Sequence, residues 1–526
     1  MITQTLVKAG QYYDSVTLLE VAQTLLDLVG VQDAAVVMGT PANKGILENA
    51  QLLTPEAQAA SPDDLVIAVR ADTGETASHA IDRAQQALTE SRQVPGGAAA
   101  APRPKTVAAA ASQLEGANIA LISVAGRYAA NVAREALKSN LHVFLFSDNV
   151  SVEDEVALKQ MGRERGLLVM GPDAGTAIIN GRALGFANDI LTTPPAEGGV
   201  GIVAASGTGL QAVTTLLAQR GVGVTQAIGT GGRDLSEDVG GIMMVESVRA
   251  LQADPATQVL LLVSKPPAPA IAKAVLATLQ DSQKPAIVCF LGGKKRAIRE
   301  AGAIVAADLE KAAVIAAEVA SGGEADGALK ALKRRNRELK AQASELRSKL
   351  SNGQRYYRGL FSGGTFCYET QLILQKQWPE DRVNSNAPLQ KENQLANAAV
   401  SVGHTAVDLG EDEFTVGRLH PMLDPALRNR RLVHEARDPE TAVIYIDVVL
   451  GYGVHPNPAG AAVEAIHEAR DYLKREDRDV IFLAHVCGTD TDPQNAARQS
   501  EILQQAGVIV LPTNAAAARL AAYILR

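Results

Sequence analysis

The residues best suited to chemistry begin with a glycine turn in the middle of the chain. The apolar run 200–205 is typical of a buried strand, and a helical pattern starts at Leu210. A turn between a strand and a helix aims free backbone N–H groups, and the positive end of the helix dipole, at one point. Such a point suits phosphate or another small anion, although many parallel-sheet domains have a glycine turn there that binds nothing. The predicted anion-binding residues of this turn are Ser206, Gly207, Thr208 and Gly209.

Two cations and a second glycine turn follow. Gly231 and Gly232 precede Arg233 and Asp234, and Lys265 follows an apolar strand. Ligands of such folds bind at the carboxyl ends of the strands. We therefore predict that Lys265 and Arg233 are catalytic residues that supply positive charge to phosphate or an acyl phosphate. The alternatives are a solvated Lys265 at a strand end and a surface ion pair between Arg233 and Asp234, which would contribute little to stability.

The carboxyl-terminal third contains further candidates. Arg418 and His420 lie in a loop rich in charged residues and are predicted to bind a carboxylate or phosphate. Metal binding by His420 with Asp412 and Asp424 is the alternative. His455 follows a predicted strand and is a candidate general acid or base. Backbone N–H groups are also predicted to cradle anions at Gly363, Gly364, Thr365, Gly451 and Gly453.

Composition restricts the class of protein and its partners. Of 526 residues, 47% are hydrophobic, 4% aromatic and 21% charged, which is typical of an α/β protein with aliphatic cores. The formal net charge of -8 gives no reason to expect nucleic acid or an anionic membrane as a partner. Cys289, Cys367 and Cys487 lack CxxC spacing, so no disulfide framework and no metal site are expected. Because neither a signal-peptide pattern nor a run of about 20 apolar residues is found, a cytoplasmic protein is predicted.

Alternating strands and helices predict an α/β fold in which several parallel-sheet domains follow a small α+β domain. Residues 1–92 have ferredoxin-like character, with two helices against a small sheet, and 93–104 form a proline-interrupted linker. The remaining predicted domains are 105–196, 197–327 and 356–526. Residues 328–355 form a basic helical linker, interpreted as a solvated connector whose leucines pack on a neighbour. A nucleic-acid-binding arm is the alternative.

Several motifs resemble those of succinyl-CoA synthetase. Motifs similar to its α subunit are Gly171-Pro-Asp-Ala-Gly175, Ser206-Gly-Thr208 and Gly229-Thr-Gly-Gly232. Motifs similar to the carboxyl-terminal domain of its β subunit are Gly363-Gly-Thr365, Asp447-Val-Val-Leu-Gly-Tyr-Gly453 and Gly488-Thr-Asp490. The fused order, the extra amino-terminal domain and Thr415-Val-Gly-Arg-Leu-His-Pro421 make the chain similar to the FdrA family of the acyl-CoA synthetase superfamily. The resemblance implies a CoA-binding-like Rossmann domain at 105–196 and flavodoxin-like domains at 197–327 and 356–526.

The chain departs from a working ADP-forming ligase in several respects. The family's phosphate-carrying histidine is replaced by Glu300, a candidate acyl-phosphate carrier. Lys265 replaces the glutamate that orients this histidine, and none of the eight histidines falls within residues 197–330. No P-loop is found, and residues 351–526 are too few for a nucleotide-grasp domain. The turn 123–128, where the family binds CoA, has one glycine. CoA and acyl phosphate stay candidate ligands, and no cofactor is assigned.

The resemblance implies a subunit of an acyl- or carbamoyl-transfer enzyme, oxamate carbamoyltransferase, in allantoin and purine-nitrogen breakdown. That reaction converts oxalurate and phosphate into oxamate and carbamoyl phosphate, and it needs neither ATP nor a phosphohistidine. The expected partners are these small anions, other protein subunits and further copies of the chain. The alternatives are a nucleotide-linked acyl-CoA ligase that uses Glu300 and a partner grasp subunit, and a metabolite-sensing regulatory subunit.

Overall fold

The computed structural model describes residues 2–11, 13, 15–26, 28–50, 52–92, 104–190, 199–280, 282–415 and 418–526. Contacts divide the chain into two compact units. The first contains residues 1–104 and 416–418, and the second contains residues 105–415 and 419–526. Among the described residues, no helix has both the length and the apolar character needed to cross a bilayer.

The first unit is a small α+β fold. Its elements in chain order are β1 (Ile2–Lys8), α1 (Ser15–Leu26), β2 (Val31–Met38), α2 (Pro41–Asn49), α3 (Pro55–Ala59), β3 (Leu65–Ala71) and α4 (Gly74–Arg92). The strands form an antiparallel sheet in the order β1-β3-β2. Apolar residues of α1 and α4 pack on one face of this sheet, as Leu25 and Ala80 do on Ile67. The small α+β domain predicted at the amino terminus is thereby confirmed.

The second unit begins with a three-stranded parallel sheet. Its elements are α5 (Val107–Gln113), β4 (Ile119–Ile122), α6 (Gly126–Lys138), β5 (His142–Leu145), α7 (Val152–Arg165) and β6 (Val169–Met170). A hairpin of β7 (Thr176–Ile179) and β8 (Arg182–Gly185) follows. This hairpin pairs with the next sheet through Ile178 and Ala227, so it forms the antiparallel edge of that sheet.

The seven-stranded sheet has the order β13-β12-β11-β9-β10-β7-β8 and is parallel except at β7 and β8. Its further elements are β9 (Gly199–Ala205), α8 (Gly207–Ala218), β10 (Val224–Gly229), α9 (Ile242–Ala253), β11 (Thr257–Ser264), α10 (Pro269–Ala277), β12 (Ala286–Phe290), α11 (Lys295–Glu300), β13 (Ile304–Val305) and α12 (Leu309–Ala320). Every residue of β9 is buried, which is expected of a central parallel strand with helices on both faces. The long basic helix α13 (Ala325–Arg347) comes next and buries Leu332, Leu339 and Leu346.

The last sheet is wholly parallel, with the order β15-β16-β14-β17-β18-β19. Its elements are β14 (Tyr356–Phe361), α14 (Gly364–Gln377), β15 (Val383–Ser385), β16 (His404–Asp408), α15 (Asp412–Thr415), α16 (Ala426–Arg437), β17 (Thr441–Val449), α17 (Pro458–Arg475), β18 (Ile481–Cys487), α18 (Ala496–Gln505), β19 (Ile509–Leu511) and α19 (Asn514–Ile524). The predicted fold class, α/β with several parallel-sheet domains, is confirmed.

One hydrophobic core joins the seven-stranded sheet and the six-stranded sheet. It includes Leu210 of α8 and Ala313 of α12 together with Phe366 of α14 and Leu520 of α19. Since core side chains pack at crystal-like density, this shared core fixes the two sheets with respect to each other. The starts of α8 and α14 are therefore held at a constant distance.

A buried ion network fixes the loop after β10. The Lys159 ammonium is fully buried and donates to Glu155 at 2.7 Å, to Asp234 at 2.8 Å and to the carbonyl of Thr230 at 2.9 Å. Arg233 also binds Glu155, at 2.9 Å. The alternative of a surface pair between Arg233 and Asp234 is therefore wrong, because each of these side chains has another partner.

We expect the variant Lys159→Ala to lower the free energy of local unfolding around α7 and β10 by about 3–5 kcal/mol, since it leaves buried carboxylates without their cation. Native-state hydrogen exchange of the amides in α7 and β10 measures this opening in a multidomain chain. The control Lys138→Ala changes an exposed lysine of α6 and should stay within about 0.5 kcal/mol of the parent. Equal effects of the two variants would contradict the prediction.

Candidate functional site

Two helices from different sheets begin at the same point. The hydroxyl oxygens of Ser206, before α8, and Thr365, in the first turn of α14, lie 2.5 Å apart. The backbone of Gly363 approaches Thr208 so closely that an added Cβ would lie 2.7 Å from its methyl carbon. The structure thus brings together two turns that the sequence predicted separately.

The start of α8 keeps backbone donors available. Ser206 caps the helix, and its Oγ accepts the N–H of Gly209 at 2.9 Å. The first-turn amides of Gly207 and Thr208 have no intrahelical partner, as at any helix start. Gly207 is exposed, so solvent or a small ligand can reach it, whereas Ser206 and Thr208 are each only 8% exposed. Gly207 is therefore the accessible part of this helix start.

The start of α14 is already partly neutralised by a carboxylate. The N–H groups of Ser362 and Gly363 donate to Asp447 at 2.7 and 2.8 Å. The Gly363 amide is therefore occupied and does not cradle an external anion, contrary to the sequence prediction. Gly364 and Thr365 supply the first-turn amides, and Gly364 is half-buried. The positive ends of two helix dipoles then meet at one small site.

Asp408 lies beside these helix starts and was not recognised in the sequence. It ends β16, and Oδ2 occupies the space that a side chain on Gly364 would need. Its other oxygen accepts the N–H of Gly410 at 3.0 Å. Burial raises the pKa of Asp408 to about 7, and the charge of Glu411 adds to this rise while that of Lys265 opposes it. Asp408 can therefore gain or lose a proton near neutral pH.

Lys265 stands at the edge of this site. It directly follows β11, and its side chain is exposed. Its ammonium lies 5.7 Å from the ring centroid of Tyr368, which is on α14, so the side chain lies against that helix. Lys265 is therefore solvated, and its charge also lowers the pKa of Asp408. Its predicted role in binding phosphate stays a prediction.

His420 is close to Asp408 but is not a cation. Its Nδ1 accepts the N–H of Met422 at 3.3 Å, and its Nε2 lies 2.9 Å from where a Cβ on Gly410 would be. Burial lowers the pKa of His420 to about 4, so the ring is neutral at pH 7. Nδ1 accepts, and Nε2 therefore carries the proton. His420 can offer a ligand one hydrogen bond and no charge.

A second acidic group lies next to the Arg233 loop. The surrounding protein raises the pKa of Asp173 to about 6, and the carboxylates of Asp148 and Asp412 add to the rise, while Arg233 opposes it. The side chain of Asp173 is nevertheless exposed to solvent. Arg233 donates to Glu155 and to the carbonyl of Val150, so most of its guanidinium is engaged.

The two glycines before Arg233 differ in their surroundings. Gly231 has a φ of +87°, and the carbonyl oxygen of Pro172 lies 2.7 Å from where its Cβ would be. Gly232 borders open space. Only Gly232 therefore leaves room for a ligand at this predicted turn.

Two predicted residues of the second compact unit do not join the meeting point of α8 and α14. Glu300 is exposed on the short helix α11 and pairs with Arg296 at 2.6 Å. His455 accepts the N–H of Asn457 at 3.1 Å, and burial lowers its pKa. Arg418 is exposed in the first compact unit.

The predicted cradle at 451–453 is filled by protein. The N–H of Gly451 donates to the side-chain oxygen of Gln494 at 3.2 Å, and a Cβ on Gly451 would meet the carbonyl oxygens of Phe186 and Ala187. Gly453 also faces the ring of Phe186. Both glycines therefore pack on the segment after β8, and the Gly451 amide is not available to an anion. Anion binding at Gly453 stays a prediction.

A metal ion and CoA would each need binding groups of their own. Within the described ranges, no group of three or more His, Cys, Asp or Glu side chains is arranged to hold a metal ion. The turn between β4 and α6 exposes Val124 and Tyr128, and α6 begins without a side-chain cap. Arg127 and the first amides of α6 could hold one phosphate of CoA there. Gly126 packs against the backbone of residues 148–149, so it does not widen the turn.

Three family models match the chain. They are the CoA-ligase family over residues 360–524, the CoA binding domain over residues 196–293, and the "AllF, heavy metal-associated domain" over residues 1–104. A CoA-binding-like domain was predicted at residues 105–196. The range that matches the CoA binding domain instead includes the 206–209 turn and Lys265. Residues 1–104 contain no cysteine and one histidine, His79, so they do not fit a thiolate metal site.

A relative and two solved structures are also similar to this chain. The YahF protein of Escherichia coli strain K12 is 42% identical over 514 residues, covering 97% of this chain and 96% of its own length. A dinucleotide-forming acetyl-coenzyme A synthetase 1 of Ca. Korarchaeum cryptofilum, solved with phosphate and ADP, is 14% identical, covers 82% of this chain and 86% of its own, and gives a TM-score of 0.34. ATP citrate lyase of Methanothrix soehngenii is 18% identical over 41% of each chain, with a TM-score of 0.36. From the YahF relative and the three domain matches, the chain belongs to the FdrA family of the acyl-CoA synthetase superfamily.

Proposed function

We propose that this chain is a subunit of a cytoplasmic carbamoyltransferase that converts oxalurate and phosphate into oxamate and carbamoyl phosphate during allantoin breakdown. The observation that carries the proposal is the meeting of two helix starts beside Lys265 and the protonatable Asp408. No histidine falls within residues 197–330, which suits a transfer that needs no phosphohistidine. The expected partners are protein subunits that complete the site, and further copies of the chain.

Phosphate binds at the start of α8 in this proposal. The amides of Gly207 and Thr208 donate to its oxygens, and Lys265 supplies a full positive charge. The Ser206 and Thr365 hydroxyls, now 2.5 Å apart, turn from each other toward the ligand. Phosphate thus replaces one internal hydrogen bond with several charge-assisted ones.

The carbamoyl group lies at the start of α14. An oxygen of hydrogen phosphate attacks the carbamoyl carbon and forms a C–O bond, and the bond from that carbon to the oxamate nitrogen breaks. The leaving nitrogen takes a proton from Asp408, which regains one from the attacking hydrogen phosphate. The amides of Gly364 and Thr365 stabilise the oxyanion that develops on the carbamoyl oxygen. The proton and the charge therefore balance without ATP.

The carboxylate of oxalurate needs a cation or donors of its own. Arg233, partly engaged by Glu155, is the proposed candidate within the second compact unit. His420 can add one hydrogen bond through Nε2. A partner subunit would approach the side of this site on which Lys265 and Gly207 are exposed.

Glu300 supports a second candidate function. Its side chain is 60% exposed, so a nucleotide held by another chain could reach it. In that case the enzyme would be a nucleotide-linked acyl-CoA ligase with a phosphorylated carboxylate. Mass measurement after incubation with ATP and co-expressed partners distinguishes the two, since only the ligase would carry phosphate on Glu300.

The variants Lys265→Ala and Ser206→Ala test phosphate binding. We expect each to raise the KM for phosphate about 10- to 100-fold, because a hydrogen bond to a charged group contributes about 1.5–3 kcal/mol. Phosphate-dependent loss of oxalurate, with partners co-expressed, is the measurement. Lys376→Ala, at the exposed far end of α14, is the matched control. Unchanged kinetics in both site variants would refute the assignment.

Asp408 predicts a specific pH dependence. Because its pKa is about 7 and the protonated form donates to the leaving nitrogen, kcat/KM for oxalurate at saturating phosphate should fall as the pH rises above 7. Asp408→Asn should lower this value about 10²- to 10⁴-fold and abolish the decline. Glu411→Gln removes a charge that raises the pKa of Asp408, so it should move the decline to lower pH while activity remains. An unchanged profile in Asp408→Asn would exclude this role.

A further inference from the structure

We propose that the chain has a second anion site, separate from the helix starts, which binds a compact organic anion carrying two or more negative charges. It is a cavity of about 210 Å³ between α11, β13, α12 and α13. Its apolar floor consists of Val305, Ala307, Leu329 and Leu332. Its polar lining consists of Lys295, Arg299, Lys311, Lys333 and Asn336.

Three of the four cations lack an internal counterion. Among the described residues, no carboxylate lies within ion-pair distance of Lys295, Arg299 or Lys333. Lys311 binds Asp308 at 2.5 Å, but Asp308 is shared with Arg519. Four cations therefore face the cavity against one shared carboxylate.

Two basic residues next to the cavity lining form ion pairs. Arg296, one position from Lys295, pairs with Glu300, and Arg335, two positions from Lys333, pairs with Glu310. Arg296 and Arg335 therefore have carboxylate partners, whereas Lys295, Arg299 and Lys333 of the cavity lining have none among the described residues.

The helical spacing places the lining residues on two facing surfaces. Lys295 and Arg299 are four residues apart on α11, and Lys333 and Asn336 are three apart on α13, so each pair shares a helix face. The buried Leu332 holds α13 against the fold. Like charges held this close repel one another, and a bound anion would remove that repulsion.

The dimensions of the cavity limit the ligand. Sites for drug-sized ligands occupy at least about 300 Å³, so this cavity is too small for a nucleotide or CoA. A guanidinium and three ammonium groups favour a dianion, and the apolar floor favours a short carbon skeleton. A small phosphate ester and a dicarboxylate share these properties. None of the residues that line this cavity takes part in the proposed carbamoyl transfer, so each proposal can fail without the other.

The test uses calorimetric titration of the full chain in the background Ser206→Ala/Lys265→Ala, which silences the proposed phosphate site. The probes are glycerol 3-phosphate, succinate and inorganic pyrophosphate. We expect at least one to bind, with affinity that falls as salt is added. Arg299→Ala and Lys333→Ala should each weaken binding tenfold or more. Preference for the ester or for succinate identifies the class of ligand.

Lys330→Ala is the matched control, because it removes an exposed lysine of α13 outside the cavity. It should change the affinity less than twofold. Binding of no probe, or equal losses in Lys330→Ala and Lys333→Ala, would overturn the proposal. A DNA duplex serves as a further probe. If it binds and loses affinity equally in Lys330→Ala and Lys333→Ala, α13 is a general surface for polyanions and the proposal is overturned. Thermal midpoints of the variants confirm that each remains folded.

Discussion

The structure depends on the close contact of two positive helix ends. The starts of α8 and α14 would repel each other, yet Thr208 and Gly363 touch and a hydroxyl pair bridges the gap. Two carboxyls make this arrangement stable: Asp447 accepts two amides before α14, and Asp408 lies beside Gly364. Because Asp408 has a pKa of about 7, part of this compensation is reversible. An incoming anion can take over the role of the ionised carboxylate.

The sequence predicted the local parts of this site but not their assembly. Ser206–Gly209 follows a continuous apolar strand, so its strand–turn–helix geometry was predictable from periodicity. Its contact with Thr365, 159 residues away, depends on how two helices dock through the shared core. Asp408 was missed because β16 is only five residues long and begins with His and Thr. An acidic residue at the end of such a strand, before Leu-Gly, was the available signal.

Tertiary contacts also gave predicted functional residues structural roles. Arg233 was predicted to supply positive charge to a bound anion, but Glu155, 78 residues earlier, binds it within the network of the buried Lys159. Gly451 resembled an anion cradle, but the hairpin of β7 and β8 places a carbonyl of Phe186 against it. A glycine turn is equally suited to a ligand and to a neighbouring backbone. Only the fold decides between these two occupants.

The core shared by the seven-stranded and six-stranded sheets also affects how the site responds to dilution. In a complex of separate chains, two halves of such a site part when the concentration falls below their dissociation constant. Here both halves lie on one polypeptide, joined by α13 and by a common apolar interior. Their local concentration is set by covalent connection and not by expression level. Dilution should therefore leave this pocket intact while it removes any subunits bound from outside.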